Sequence, residues 1–171
     1  MKCKVLISLF ILLPLSIHAQ MGKLFDADKQ MSSSFTTQIY LDRDGFIWVA
    51  TRNGLNRYDG YQFRILKKES RKDLGMASNY VNCMIQDHNG LFYVGMYGAL
   101  QTYDGERFQN VVTYGAEGNP VPCYVTSLLE RRNGDILVGT SGHGVLKMNG
   151  QQEAREMDKR LREAKSIHRL M

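Results

Sequence analysis

Asp42-Arg-Asp-Gly-Phe-Ile-Trp-Val-Ala-Thr-Arg-Asn-Gly-Leu-Asn-Arg-Tyr-Asp-Gly60 decides the fold, because the chain repeats it. At a shift of 45 residues, Gly45 meets Gly90 and Trp48-Val49-Ala50 meets Tyr93-Val94-Gly95. Leu55 meets Leu100, Tyr58-Asp59-Gly60 meets Tyr103-Asp104-Gly105, and Phe63 meets Phe108. A third copy follows at a shift of 44, with Gly134 on Gly90, Leu137-Val138-Gly139 on Tyr93-Val94-Gly95, and Gly142 on Gly98. One inserted residue, read as His143, brings Met148-Asn149-Gly150 onto Tyr103-Asp104-Gly105. A fixed period of this length marks a chain built by stacking one supersecondary unit.

Each unit reads as four short strands. The first covers Thr37 to Asp42, Val81 to Asp87 and Val125 to Glu130 in the successive copies. Asp44-Gly45, Asn89-Gly90 and Asn133-Gly134 then supply the positive φ that a tight hairpin turn demands. The second strand (Phe46 to Thr51, Leu91 to Met96, Ile136 to Thr140) is apolar on both faces and is expected to be buried on both. A third strand ends at Asp59-Gly60, Asp104-Gly105 or Asn149-Gly150, and a fourth carries Phe63 or Phe108. Four antiparallel strands with apolar faces describe a β-propeller blade. The small residue recurring at Ala50, Gly95 and Gly139 suits close approach of the next blade. The fold class is all-β, a partial β-propeller of three four-stranded antiparallel blades. Its repeats run over residues 36–78, 79–122 and 123–150.

The ends read differently. Lys2 and Lys4 precede an apolar run from Val5 to Leu15, followed by Ile17-His18-Ala19. This order makes residues 1–20 a signal peptide cleaved near Ala19 or Gln20, and the product periplasmic. The run is well short of the roughly 20 apolar residues that span a bilayer. Residues 21–35 lead into the first blade. Residues 151–171 read as a charged linker of helical character, with Glu153, Arg155, Glu156, Lys159 and Arg160 at helical spacing. Ser166-Ile-His-Arg-Leu-Met171 resembles the first-strand pattern and is expected to begin a fourth blade, cut off after that strand.

The pI of about 9.1 suggests nucleic acid at first sight. Residues 21–150, however, carry 14 basic and 13 acidic groups. No basic cluster lies among stacking aromatics, so no nucleic-acid partner is expected. The spacing of Cys83 and Cys123 matches no metal motif. The two fall near equivalent points of successive repeats, so a disulfide is open, beside the plainer reading of two small buried apolar residues. Asp42, Asp44 and Asp59 are turn residues rather than a calcium loop or a pair of catalytic acids, and Trp48 reads as core. No nucleophile, base or metal cluster emerges, so no catalytic residue, metal or cofactor is expected.

Residues 42–60 resemble the two-component regulator propeller repeat, with its acidic residue, Gly turn, Trp-containing strand, Gly-Leu step and Tyr-Asp. Ala50 stands where that family usually has Gly. The second copy has Tyr93 and Met96 for Trp and Thr, and the third has Leu137 and Met148 for Trp and Tyr. The resemblance implies the extracytoplasmic sensor part of a hybrid two-component system, which detects oligosaccharides. It implies further propeller blades, a membrane helix and a histidine kinase in the whole receptor, and homodimers. A secreted propeller lyase or hydrolase, or a protein-interaction scaffold, is the alternative. Residues between the second and third strands share one end of a propeller. Arg52, Tyr97 and His143 are therefore the expected ligand-binding rim.

Overall fold

The computed structural model describes residues 30–68 and 75–157. The signal peptide and the strand expected at residues 166–171 lie outside them. The first blade is a meander of β1 (Thr36–Leu41), β2 (Ile47–Thr51), β3 (Gly54–Tyr58) and β4 (Phe63–Leu66). The second repeats it with β5 (Val81–Gln86), β6 (Phe92–Met96), β7 (Ala99–Tyr103) and β8 (Phe108–Tyr114). The third comprises β9 (Tyr124–Glu130), β10 (Ile136–Ser141), β11 (Val145–Asn149) and β12 (Glu153–Glu156). Strand order within each blade is sequential and antiparallel, and the register repeats. Ala50 faces Leu55, Gly95 faces Leu100 and Gly139 faces Val145. The hairpin glycines Gly45, Gly90 and Gly134 sit at φ of 86°, 90° and 84°, as their turns require.

The second strand of the middle blade, β6, is buried because a blade lies on each side of it. On β6, Phe92, Val94 and Met96 join Trp48, Ala50, Leu55 and Val81 in one cluster between the first two blades. Tyr93, two strands' pleat away, joins Cys83, Val125, Val138 and Leu146 in a second cluster between blades two and three. The alternation that reads as apolar on both faces is thus two interfaces served by one strand. β5 lies against both β1 and β9, so the first strands are neighbours.

Polar ties recur across the interfaces with the same spacing. Thr37 Oγ1 donates to the Val81 carbonyl at 2.7 Å, and one repeat later Asn82 Nδ2 donates to Val125 at 2.7 Å. The Arg43 amide donates to Gln86 at 3.1 Å, and the His88 amide to Glu130 at 3.1 Å. Asn56 accepts the Ser32 amide at 2.7 Å, and Gln101 accepts the Ala77 amide at 2.9 Å. Each buried side-chain amide thereby anchors the segment leading into its own or the same blade's first strand, where an unpaired backbone group would be costly.

The turn aspartates are structural. Asp42 Oδ1 accepts the amides of Asp44 and Phe46, and its Oδ2 accepts Trp48 Nε1 at 2.7 Å. Asp87 repeats this with Asn89, Leu91 and, at 3.4 Å, the Tyr93 hydroxyl. The acidic residue and the aromatic six positions on are one unit: the carboxylate closes the turn and satisfies the buried ring's donor. Asp59 and Asp104 each accept two turn amides, which hold both carboxyls below the usual carboxylate range.

One expectation about the last repeat is corrected. Residues 153–156 are not linker but β12, the fourth strand of the third blade, so that repeat extends beyond residue 150. The position that carries Phe63 and Phe108 holds Glu153, and the charges surrounding it mimic a helix pattern. What decides is Ala154: fully buried, it sits opposite Met148, while Arg155 turns outward and stacks on Tyr114 at 4.1 Å. The blades are also not separate sheets throughout. β12 pairs in parallel with β8, Glu153 opposite Val112, so blades two and three form one eight-stranded sheet. The far face of the first blade is open. Ile39 and Ile47 are exposed there, whereas Met84 and Phe92 at the equivalent places in the second blade are buried.

Candidate functional site

The same residue type opens the first strand of every blade: Phe35, Tyr80 and Tyr124, at spacings of 45 and 44. Each lies beside the end of its blade's second strand. The Arg52 amide donates to the Phe35 carbonyl at 3.1 Å, the Tyr97 amide to the Tyr80 carbonyl at 3.0 Å, and Ser141 pairs with Tyr124. Because the first strands are neighbours, the hairpins bring these side chains into one row.

In that row the Arg52 guanidinium sits 5.5 Å from the Phe35 ring and 5.5 Å from the Tyr80 ring. Tyr80 and Tyr97 stack at 6.1 Å and 12°. Tyr97 meets Tyr124 at 5.3 Å, and Tyr124 lies 6.3 Å from Tyr80. Flat groups therefore run Phe35, Arg52, Tyr80, Tyr97, Tyr124 across three blades. Phe35 is 65% exposed and Tyr97 63%, large apolar areas left open to solvent. Burial, and a hydrogen bond to Tyr80, push the Tyr124 hydroxyl's pKa up. Such a surface can cover the apolar face of a flat ligand while hydroxyls and the guanidinium edge offer hydrogen bonds.

Of the three residues expected at the rim, two meet here. Arg52 and Tyr97 share Tyr80 between them. His143 does not fill the third place. Ser141 pairs with Tyr124, and His143 instead lines a cavity with Gly115, Ala116, Glu117 and Asn119. The inserted residue lifts it two positions past the strand end. Phe35, Tyr80 and Tyr124 were readable in the sequence as an aromatic at every 44–45 residues. They fall just before the aligned stretch that begins each first strand.

The opposite end of the strands holds different chemistry. His88 Nδ1 lies 2.6 Å from Glu130 Oε1, and Arg43 Nη1 donates to the His88 carbonyl at 2.6 Å. Glu130 is partly desolvated, which raises its pKa, but the His88 hydrogen bonds outweigh this and hold it below its ordinary value. Among the described residues no group of three or more His, Cys, Asp or Glu is placed to hold a metal. Cys83 and Cys123 are buried free thiols of the core between blades two and three. Burial pushes the Cys83 pKa up to about 12, so this thiol is inert rather than nucleophilic.

The two component regulator propeller family matches the chain at residues 30–53 and 75–98. A search of curated proteins gave no match. Among solved structures, the chain is similar to the extracellular domain of BT3049, described as a hybrid two component system of B. thetaiotaomicron. The TM-score is 0.69 and the identity 21%, over 81% of this chain and 20% of that one. It is also similar to the extracellular domain of BT4673 from the same organism, described as a hybrid two component system in one structure and a one component system in another. There the TM-scores are 0.61 and 0.59 and the identities 22% and 16%, over 84% and 72% of this chain and 19% of each of those. This chain thus spans about a fifth of the length of these neighbours. The matched segments fall on the lead-ins and first two strands of the first two blades of this partial β-propeller.

Proposed function

We propose that this chain is the extracytoplasmic ligand-sensing propeller segment of a two-component signalling receptor, and that its ligand is an oligosaccharide bound along the aromatic row. The observation that carries this reading is the row itself. Three equivalent positions on three blades hold an aromatic ring, and Arg52 and Tyr97 fill the gaps between them. A pyranose ring has an apolar face and a hydroxyl edge, and stacked tyrosines present the matching pair. The family match supplies the signalling context, and the extracellular domains it resembles in fold support an extracytoplasmic place. Residues 1–20 would direct export to the periplasm. The open face of the first blade, with Ile39, Leu41 and Ile47, supports packing of a further blade there, as β5 and β6 pack in the second. Within this reading the chain senses rather than catalyses, and His143 stands as an outlying contact.

The test is calorimetric titration of the chain with a panel of oligosaccharides. Tyr97→Ala and Tyr124→Ala are expected to weaken the binding member by about 2- to 12-fold each. His88→Ala, at the opposite end, is expected to leave it unchanged. An effect of His88→Ala with none at Tyr97 would place the ligand elsewhere.

A further inference from the structure

We infer that the aromatic row selects acidic oligosaccharides, with Arg52 receiving a carboxylate or sulfate carried by the sugar. The inference rests on the reading of the row as a sugar site. Its basis is the state of Arg52. Lys147 and Arg131 pair with Asp135, and Arg155 with Glu153, whereas Arg52, like Arg64 and Arg132, has no such pair among the described residues; Arg52 differs from those two in lying within the aromatic row. Arg57 is stacked against Phe46 at 4.3 Å and has its Nε buried. Arg52 is exposed and, among the described residues, no carboxylate pairs with it.

The Phe35 and Tyr80 rings flank the guanidinium, each centroid 5.5 Å from its Cζ. Stacking holds the plane of the guanidinium without using its N–H edge. That edge is a fork matched to two oxygens of one anion. A sugar seated on Tyr80 and Tyr97 would lie beside this fork. A neutral sugar would use the row's rings and hydroxyls alone, whereas a uronate or a sulfated sugar adds the ionic contact. Lysine could not replace the arrangement, because an ammonium neither stacks flat nor presents two parallel donors.

The experiment is titration of the full chain with two matched pairs. One is oligogalacturonate against its methyl ester, and the other is a sulfated oligosaccharide against its desulfated form. The acidic member is expected to bind about 10- to 100-fold more tightly, the range of one charge-assisted bidentate contact. The ratio should shrink as salt is raised. In Arg52→Gln the ratio should fall to about 1, and Arg52→Lys should recover only part of it. Unchanged thermal transitions of both variants show that they fold. A preference confined to one pair assigns the anion as carboxylate or sulfate. Equal binding within both pairs, or a preference that survives Arg52→Gln, overturns the inference and leaves the sugar reading standing. Failure of all four oligosaccharides and of neutral glycans to bind the folded chain overturns both.

Discussion

Gly95→Ala measures how closely the third blade is pressed against the second. A Cβ added at Gly95 would lie 2.4 Å from Val125 Cγ1, 2.9 Å from Val125 Cβ and 2.7 Å from Cys83 Sγ. Carbon atoms in contact prefer about 3.5–4.0 Å, so the nearest pair must part by more than an ångström. Rotating Val125 cannot achieve this, because its Cβ is itself too close and moves only with β9. The φ of Gly95 is not in the left-handed region, so the cost is steric alone. Overpacking a full core site costs about 1–3 kcal/mol. The stiffer unfolded chain returns about 0.4–1 kcal/mol. The net expectation is a loss of about 1–2 kcal/mol, or a fall in Tm of roughly 2–8 °C for a chain of this size. Ala50, at the equivalent place in the first blade, already accommodates a methyl in the cluster with Val81, so the second interface is the tighter one. Thermal and urea melts of Gly95→Ala, Val125→Ala and the double variant provide the assay. The double variant should lose less than the sum of the two, because removing the Val125 methyls takes away the 2.4 Å contact, the worst of the three. A Gly95→Ala protein as stable as the parent, or strictly additive losses, would refute the close approach of β9 to β6.

Trp48→Phe leaves the Asp42 carboxylate without the indole donor in a buried place, so urea unfolding should show a loss of about 1–3 kcal/mol; a loss below about 0.5 kcal/mol would make that bond unimportant. Asn56→Ala should free the lead-in segment, and amide exchange at Ser32 should quicken while that of the β6 amides does not. Glu130 is held below its ordinary value near 4.5 by the His88 hydrogen bonds acting against partial burial. The stability it contributes is therefore full above pH 4.5 and fades as pH falls through the lowered value. Glu130→Gln should accordingly melt earlier than the parent at neutral pH and no earlier in strong acid; a constant gap across pH would count against the pairing. Mass spectrometry of the exported chain should find cleavage near Ala19 or Gln20, and an intact Met1 would contradict it.

The blades were legible because each local signal agreed with the others. The Asp/Asn-Gly turn, the apolar second strand and the Asp/Asn-Gly stop recur in step, and the strands lie within a residue or two of where those signals put them. Trp48 as core was equally plain, although its bond to Asp42 was not: a turn reading accounts for one carboxylate oxygen and leaves the other unassigned. β12 is not legible in the sequence because an outer strand needs only one buried residue, and Ala154 is too small to mark a period among its charged and polar neighbours. At the rim, Arg52 and Tyr97 followed from strand-end geometry. His143 did not, because an insertion shifts a loop residue in space as well as in number.

The site and the core are linked by the same geometry. The row exists only because β1, β5 and β9 stand side by side, and their separation is set by the interfaces beneath them. Arg52 bridges a ring of the first blade and a ring of the second, and Tyr97 bridges the second and third. Rotation of one blade against its neighbour would part those pairs while leaving each four-stranded meander intact. The backbone ties from Thr37 and Asn82 oppose such rotation at the same strand ends. A ligand lying across the row would add to them, since it contacts all three blades at once. Its binding energy would therefore favour one spacing of the blades over others, which is what a sensing domain must supply: a difference in affinity between two arrangements. The tight contact at Gly95 makes the second interface resist compression.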